Sequence, residues 1–177
     1  MQYTSTYQSP MGNMLLACDE AGLTGIWFEG GRYYALGLEE GHERKERAFL
    51  TDAKRWLDLY FSGKKPDFTP PLHMTGSEFR MEVWRLLLEI PYGMVITYGE
   101  IAKKAAANRG LAGMSAQAAG GAVGHNPISI IVPCHRVVGA DGSLTGYGGG
   151  IDRKASLLKL EGVDMSSLYV PSKGTAL

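Results

Sequence analysis

The sequence predicts a mixed α/β (α+β) chain in two parts, an antiparallel sheet with one helix followed by a mostly helical region. Three observations carry this reading. Short strand-like runs separated by turn residues occupy the first 28 positions, and apolar stripes at helical spacing recur from residue 49 onward. Between them, Pro66, Pro70 and Pro71 fall within six residues of the stretch "KKPDFTPPLHMT", where they forbid regular structure and stiffen the chain. The parts expected are 1–75, with a linker from about 64, and 76–177.

In the first part, "MQYTSTYQS", "NMLLACDE" and "LTGIWFEG" are strand-like runs parted by Pro-Met-Gly-Asn and Glu-Ala-Gly, the punctuation of antiparallel hairpins. The run "FLTDAKRWLDLYF" follows as a helix, with Leu50, Ala53, Trp56, Leu57 and Tyr60 on one face. In the second part, "TGSEFRMEVWRLLLEI" reads as a core helix capped by Ser77 or Thr75, with Phe79, Val83, Leu86, Leu87 and Ile90 as its stripe. Thr97 and Glu100 form a capping box for a short helix, "YGEIAKKAA". A glycine-bearing connection, "NRGLAGM", then leads to Ser115 as the next N-cap and to "AQAAGGAVG".

Two short helices joined by such a turn, in a basic stretch, suggest helix-turn-helix; a plain helical hairpin is the competing reading. Gly120 and Gly121 cost roughly 1 kcal/mol each inside a helix. Helix "AQAAGGAVG" therefore has almost no side-chain bulk, and something must approach its backbone. A core helix or a nucleic-acid groove would serve.

Charge supports the groove. Lys+Arg and Asp+Glu are both 18, so the whole chain is neutral, but residues 101–160 hold seven basic residues against two acidic ones. Cys18 and Cys134 are the only cysteines, too few for a disulfide framework or a Cys-rich zinc site, which fits a reduced, cytoplasmic setting. The N-terminus has no signal-peptide pattern, and no run of about 18 apolar residues exists to cross a membrane.

The chemistry is expected at "IIVPCHRVVG". A lone Cys-His pair is more often packing than catalysis. Here "ISIIV" reads as a buried strand that Pro133 ends, placing Cys134 at a pocket floor, with the glycine-rich "GSLTGYGGG" able to fold over it. The helix "DRKASLLKLEG" brings Glu161 within reach of an imidazole. Neighbours on an extended segment point opposite ways, so His135 would act on Cys134 through one water, with Glu161 fixing its tautomer. The product of that relay is a thiolate, the nucleophile.

With these residues in view, the sequence resembles the methylated-DNA–protein-cysteine methyltransferase family, the O6-alkylguanine-DNA alkyltransferases. The stretches "PYGMVITYGEIA", "SAQAAGGAVGHNPISIIVPCHRVVG", "GSLTGYGGG" and "LLKLEG" carry the resemblance in the family's order, across most of residues 76–162. It implies a ribonuclease-H-like N-terminal domain and a winged helix-turn-helix-like catalytic domain. That domain would bind alkylated double-stranded DNA from the minor groove as a monomer, with no cofactor. The damaged guanine is flipped out, and its alkyl group moves irreversibly to the protein's own cysteine.

Residue by residue, the resemblance makes Cys134 the acceptor and His135 and Glu161 its relay. Tyr98 would help turn the nucleotide and hydrogen-bond the guanine, Asn126 would brace the turn beneath the site, and Tyr147 would wall the pocket. The backbone at Val137 and Gly148 would hold the base, with Ser115 and Gln117 toward DNA. Arg136 reads as an ion-pair anchor as readily as a DNA contact. The departures are Gln117, where many relatives carry an intercalating arginine, and the longer "NRGLAGM" turn. Cys18, His42 and His73 are too thin a ligand set, so no metal is expected. A lesion-binding protein without chemistry would lack the cysteine. A cysteine hydrolase would need an oxyanion hole and repeated turnover.

Overall fold

The computed structural model describes residues 1–172. It is a mixed α/β chain whose backbone contacts divide into two compact units: residues 1–75 together with 127–131, and residues 76–126 together with 132 onward.

In the first unit, β1 (Tyr3–Ser9), β2 (Gly12–Cys18) and β3 (Leu23–Phe28) form an antiparallel meander. The β1–β2 register runs from Tyr3 opposite Cys18 to Ser9 opposite Gly12, closed by the Pro10–Met11 turn. The positive φ of Gly12, 118°, is a conformation that suits glycine at the turn's exit. A two-residue strand, β4 (Glu43–Arg44), pairs parallel with β1; its charged sequence carries no strand pattern, and it was not anticipated.

Helix α1 (Ala48–Phe61) buries Leu50, Ala53, Trp56, Leu57 and Tyr60, the stripe expected from the 3.6-residue period. The free edge of β3 is covered by two short segments that each make one parallel bridge, Leu72 to Leu23 and Ile128 to Ile26. The proline-rich stretch is thus partly paired: Leu23 donates to Pro71 O, and His73 N donates back to Leu23 O. At Gly22 an added Cβ would lie 2.6 Å from Pro71 O, so this approach requires glycine.

The second unit is built on α2 (Glu78–Leu88), capped by Ser77, whose Oγ accepts from Arg80 N. Val83, Leu86, Leu87 and Ile90 are buried, while Phe79 is only half-buried. Its main anchor is Trp84, fully buried, whose Nε1 donates to Ala122 O at 2.9 Å. Strand β5 (Ile96–Thr97) leads into α3 (Tyr98–Asn108), where the Thr97–Glu100 capping box is present in full. Ser115 caps α4 (Ala116–Gly124), which packs on both α2 and α3. Strand β6 (Val137–Val138) pairs parallel with β5, and α5 (Ile151–Leu160) closes the unit.

One expectation about local structure fails. "ISIIV" is not a strand: Ile128 makes only its isolated bridge, Ile130 takes a φ of 72°, and the chain winds through tight turns, Ile131 N to Ser129 O and Cys134 N to Val132 O. Cys134 then begins a single 3-10 turn, Cys134–Arg136. The apolar run is buried on both sides, and that burial, rather than pleating, accounts for its composition.

Candidate active site

Cys134 and His135 leave the turn about 120° apart, as adjacent residues of a 3-10 helix do, rather than on opposite faces of a strand. Cys134 is 6% exposed and His135 is fully buried. Asn126, just past the end of α4, reaches both the turn and the sulfur. Its Nδ2 donates to Val132 O at 2.8 Å and to Cys134 Sγ at 3.1 Å. An N–H aimed at sulfur stabilises the thiolate more than the thiol.

Behind His135 lies Glu161, the C-cap residue of α5, with Oε1 2.6 Å from Nε2. Burial by itself would raise the Glu161 carboxyl, but the bond and charge of His135, then those of Arg136, hold it down at about 2. Glu161 is therefore ionised and must accept. Nε2 carries the imidazole proton, and Nδ1 is the basic nitrogen. Burial also keeps His135 below its ordinary value, against the pull of Glu161, so the ring rests neutral. Cys134 is pushed above its ordinary value by burial, opposed by Asn126 and by the charge of Lys154. The resting site thus holds a neutral thiol beside a neutral base.

Arg136 occupies the anchor position of its two expected readings. It is 8% exposed; Nε donates to Glu161 Oε2 at 2.9 Å, Nη2 to Oε1 at 3.0 Å and Nη1 to Ile90 O at 2.7 Å. Gly93 N adds a further bond to Glu161 Oε2. One carboxylate thereby joins the end of α5, the 3-10 turn and the loop after α2.

The remaining expected residues divide into an inner and an outer group. Tyr98, at the start of α3, is buried and donates to Thr145 O at 2.9 Å, with Gly146 O at 3.2 Å sharing the same proton. Burial, then the nearby Cys134, raises its phenol well above the usual range. Tyr147 is buried, its ring edge-on to His135 at 6.3 Å, and Gly148 is half-buried in the same loop. Val137 is buried in β6, and its carbonyl already accepts from Lys154, leaving one lone pair for any further donor.

Ser115 and Gln117 are exposed at the start of α4, away from this cluster, beside exposed Ala116, Ala118 and Gly121. The two glycines differ. A Cβ at Gly120 would meet the Tyr98 ring at 3.6 Å, so the neighbour there is the chain's own side chain; at Gly121 no described atom lies within 4 Å.

The residue that sequence reasoning missed is Lys154. It is fully buried on α5, and Nζ donates to Val137 O, to Thr145 O at 2.9 Å and to Tyr98 OH at 3.5 Å. Its spacing was the available signal, because three and four residues on lie Leu157 and Leu158, the buried face of the helix. Among the described residues, no group of three or more His, Cys, Asp or Glu is placed to hold a metal ion, and no helix is long and apolar enough to cross a membrane. In the first unit, His73 Nδ1 pairs with Asp19 Oδ2 at 2.6 Å, and Cys18 is buried in β2.

Comparison with known proteins agrees over both units. Residues 2–74 match the family model of the 6-O-methylguanine DNA methyltransferase ribonuclease-like domain, and residues 78–163 that of its DNA binding domain. The methylated-DNA–protein-cysteine methyltransferase of Methanosarcina acetivorans is 45% identical over 160 residues, covering 90% of this chain and 98% of its own. That of Mycolicibacterium paratuberculosis is 46% identical over 156 residues, covering 88% and 90%. The crystal structure of Mycobacterium tuberculosis OGT in complex with DNA superposes with a TM-score of 0.77 at 42% identity, covering 90% of this chain and 92% of that one. With its two domains and the turn around Cys134 thus matched in order, this chain belongs to the 6-O-methylguanine DNA methyltransferase family.

Proposed function

We propose that this chain is a DNA-repair protein that transfers the alkyl group of O6-alkylguanine, and of O4-alkylthymine as a secondary lesion, onto its own Cys134 in a single irreversible turnover. The observation that carries the assignment is the surroundings of Cys134: an amide donor 3.1 Å from its sulfur and a neutral imidazole beside it, backed by a buried carboxylate at 2.6 Å. This arrangement suits thiolate formation on demand.

In the reaction, His135 Nδ1 takes the thiol proton through one water, and Glu161 stabilises the imidazolium. The sulfur attacks the alkyl carbon, the S–C bond forms and the C–O6 bond breaks, and the departing guanine takes up one proton. The net exchange is an alkyl group to sulfur and a proton to guanine. No tetrahedral oxyanion arises, so no oxyanion hole is required, and the thioether is permanent. Tyr98 and Tyr147 line the pocket, and the backbone at Val137 and Gly148 holds the base. Ser115 and Gln117 on α4 meet the minor groove, where small exposed residues permit close backbone approach. The protein acts as a monomer in the cytoplasm, without a cofactor.

The test is mass spectrometry after incubation with duplex DNA containing O6-methylguanine. A permanent gain of one CH2 per protein, mapped to Cys134, is expected. An unchanged mass, or product formed in excess of protein, overturns the assignment.

A further inference from the structure

We infer that Lys154 is a positioning residue for alkyl transfer, its ammonium holding the glycine-rich loop and Tyr98 in place while supplying the positive charge that favours the Cys134 thiolate. The inference rests on the reading of Cys134 as the acceptor. Three segments meet at Nζ: Val137 O at the exit of the active-site turn, Thr145 O at the start of the glycine-rich loop, and Tyr98 OH on α3. Tyr98 closes the same ring of bonds through Thr145 O and Gly146 O.

The charge is the unexpected feature. Lys154 is 0% exposed, and no carboxylate within ion-pairing distance of it is seen among the described residues. The nearby carboxylate, Glu161, is engaged by His135 and Arg136. A buried cation without a counter-ion is a liability for stability, and a side chain retained for shape alone would be apolar. The charge facing it is the one that forms at Cys134 during reaction; Tyr98 is neutral, and His135 and Arg136 add only positive charge. Burial lowers the Lys154 ammonium to about 8, and the Cys134 charge opposes that shift, so the lysine is still protonated at neutral pH.

The experiment compares single-turnover transfer from free O6-methylguanine across pH for the unmodified protein, Lys154→Met and Lys154→Gln, with folding checked by circular dichroism. The free base removes DNA binding and flipping from the rate. Both variants should move the rising limb of the profile upward by about one pH unit, with about a tenfold loss of rate at neutral pH. Met removes charge and hydrogen bonds, whereas Gln keeps a neutral donor. A Gln variant with the unmodified profile overturns the charge assignment, and a Met variant with that profile overturns the whole inference. If neither variant folds, Lys154 is a folding element and the inference also fails. Mapping the adduct separates the two readings, since methylation elsewhere than Cys134 would sink the acceptor assignment whatever Lys154 does.

Discussion

Two side chains at the site yield different kinds of prediction. Cys134→Ser is nearly isosteric but scarcely ionises, so transfer should be lost while binding to alkylated duplex, read by gel shift, stays within about threefold. Residual methylation of the variant would point to Cys18, the only other thiol, which is fully buried in β2 with its thiol raised to about 11 by burial. Glu161→Gln is less simple than the relay suggests, because the same carboxylate neutralises Arg136. Removing one partner of a buried pair costs about 3–5 kcal/mol. The variant should therefore melt at lower temperature as well as transfer slowly, with a pH profile shifted upward on the folded fraction. Slow transfer with an unshifted profile would assign Glu161 to packing alone.

At the level of elements, legibility followed periodicity. The stripe of α1 was readable because five buried positions repeat at 3.6 residues, and the capping box of α3 because its chemistry is local. "ISIIV" misled because a buried run is apolar whether pleated or wound into turns; the φ of 72° at Ile130 has no sequence signal. Lys154 was overlooked because a lysine on an amphipathic helix ordinarily lies on the solvated face. Helix α4 was legible as a small-residue helix, and its exposed face leaves Gln117 as the polar side chain among Ala116, Ala118 and Gly121. If Gln117 fills the gap left by the flipped guanine, Gln117→Ala should slow transfer from duplex DNA far more than from the free base. Gln117→Arg should steepen the salt dependence of duplex binding by about one phosphate contact. An equal duplex-to-free-base ratio in all three proteins would move the role to the "NRGLAGM" turn.

The charge balance of the whole molecule gives its stability a defined pH dependence. The formal net charge is zero at neutral pH, so global repulsion is small there, and buried groups decide the acid limb. His135 is kept below 6.5 in the fold, so the unfolded chain binds that proton first and stability declines as pH falls through the mid-sixes. Glu161 is held at about 2 against an ordinary 4.5, so its contribution is complete above 4.5 and is lost as pH falls toward 2. Integrated, that second step is worth about 3 kcal/mol, shared with the protonation of His135 on the same hydrogen bond. Calorimetric melting from about pH 7 to about pH 3 should show a two-stage fall. In Glu161→Gln, which starts lower, the stage below about 4.5 should be largely missing because the titrating carboxyl is gone. A variant whose melting temperature falls in parallel with that of the unmodified protein over this range would mean that exposed carboxylates, not the Glu161 cluster, set the acid stability.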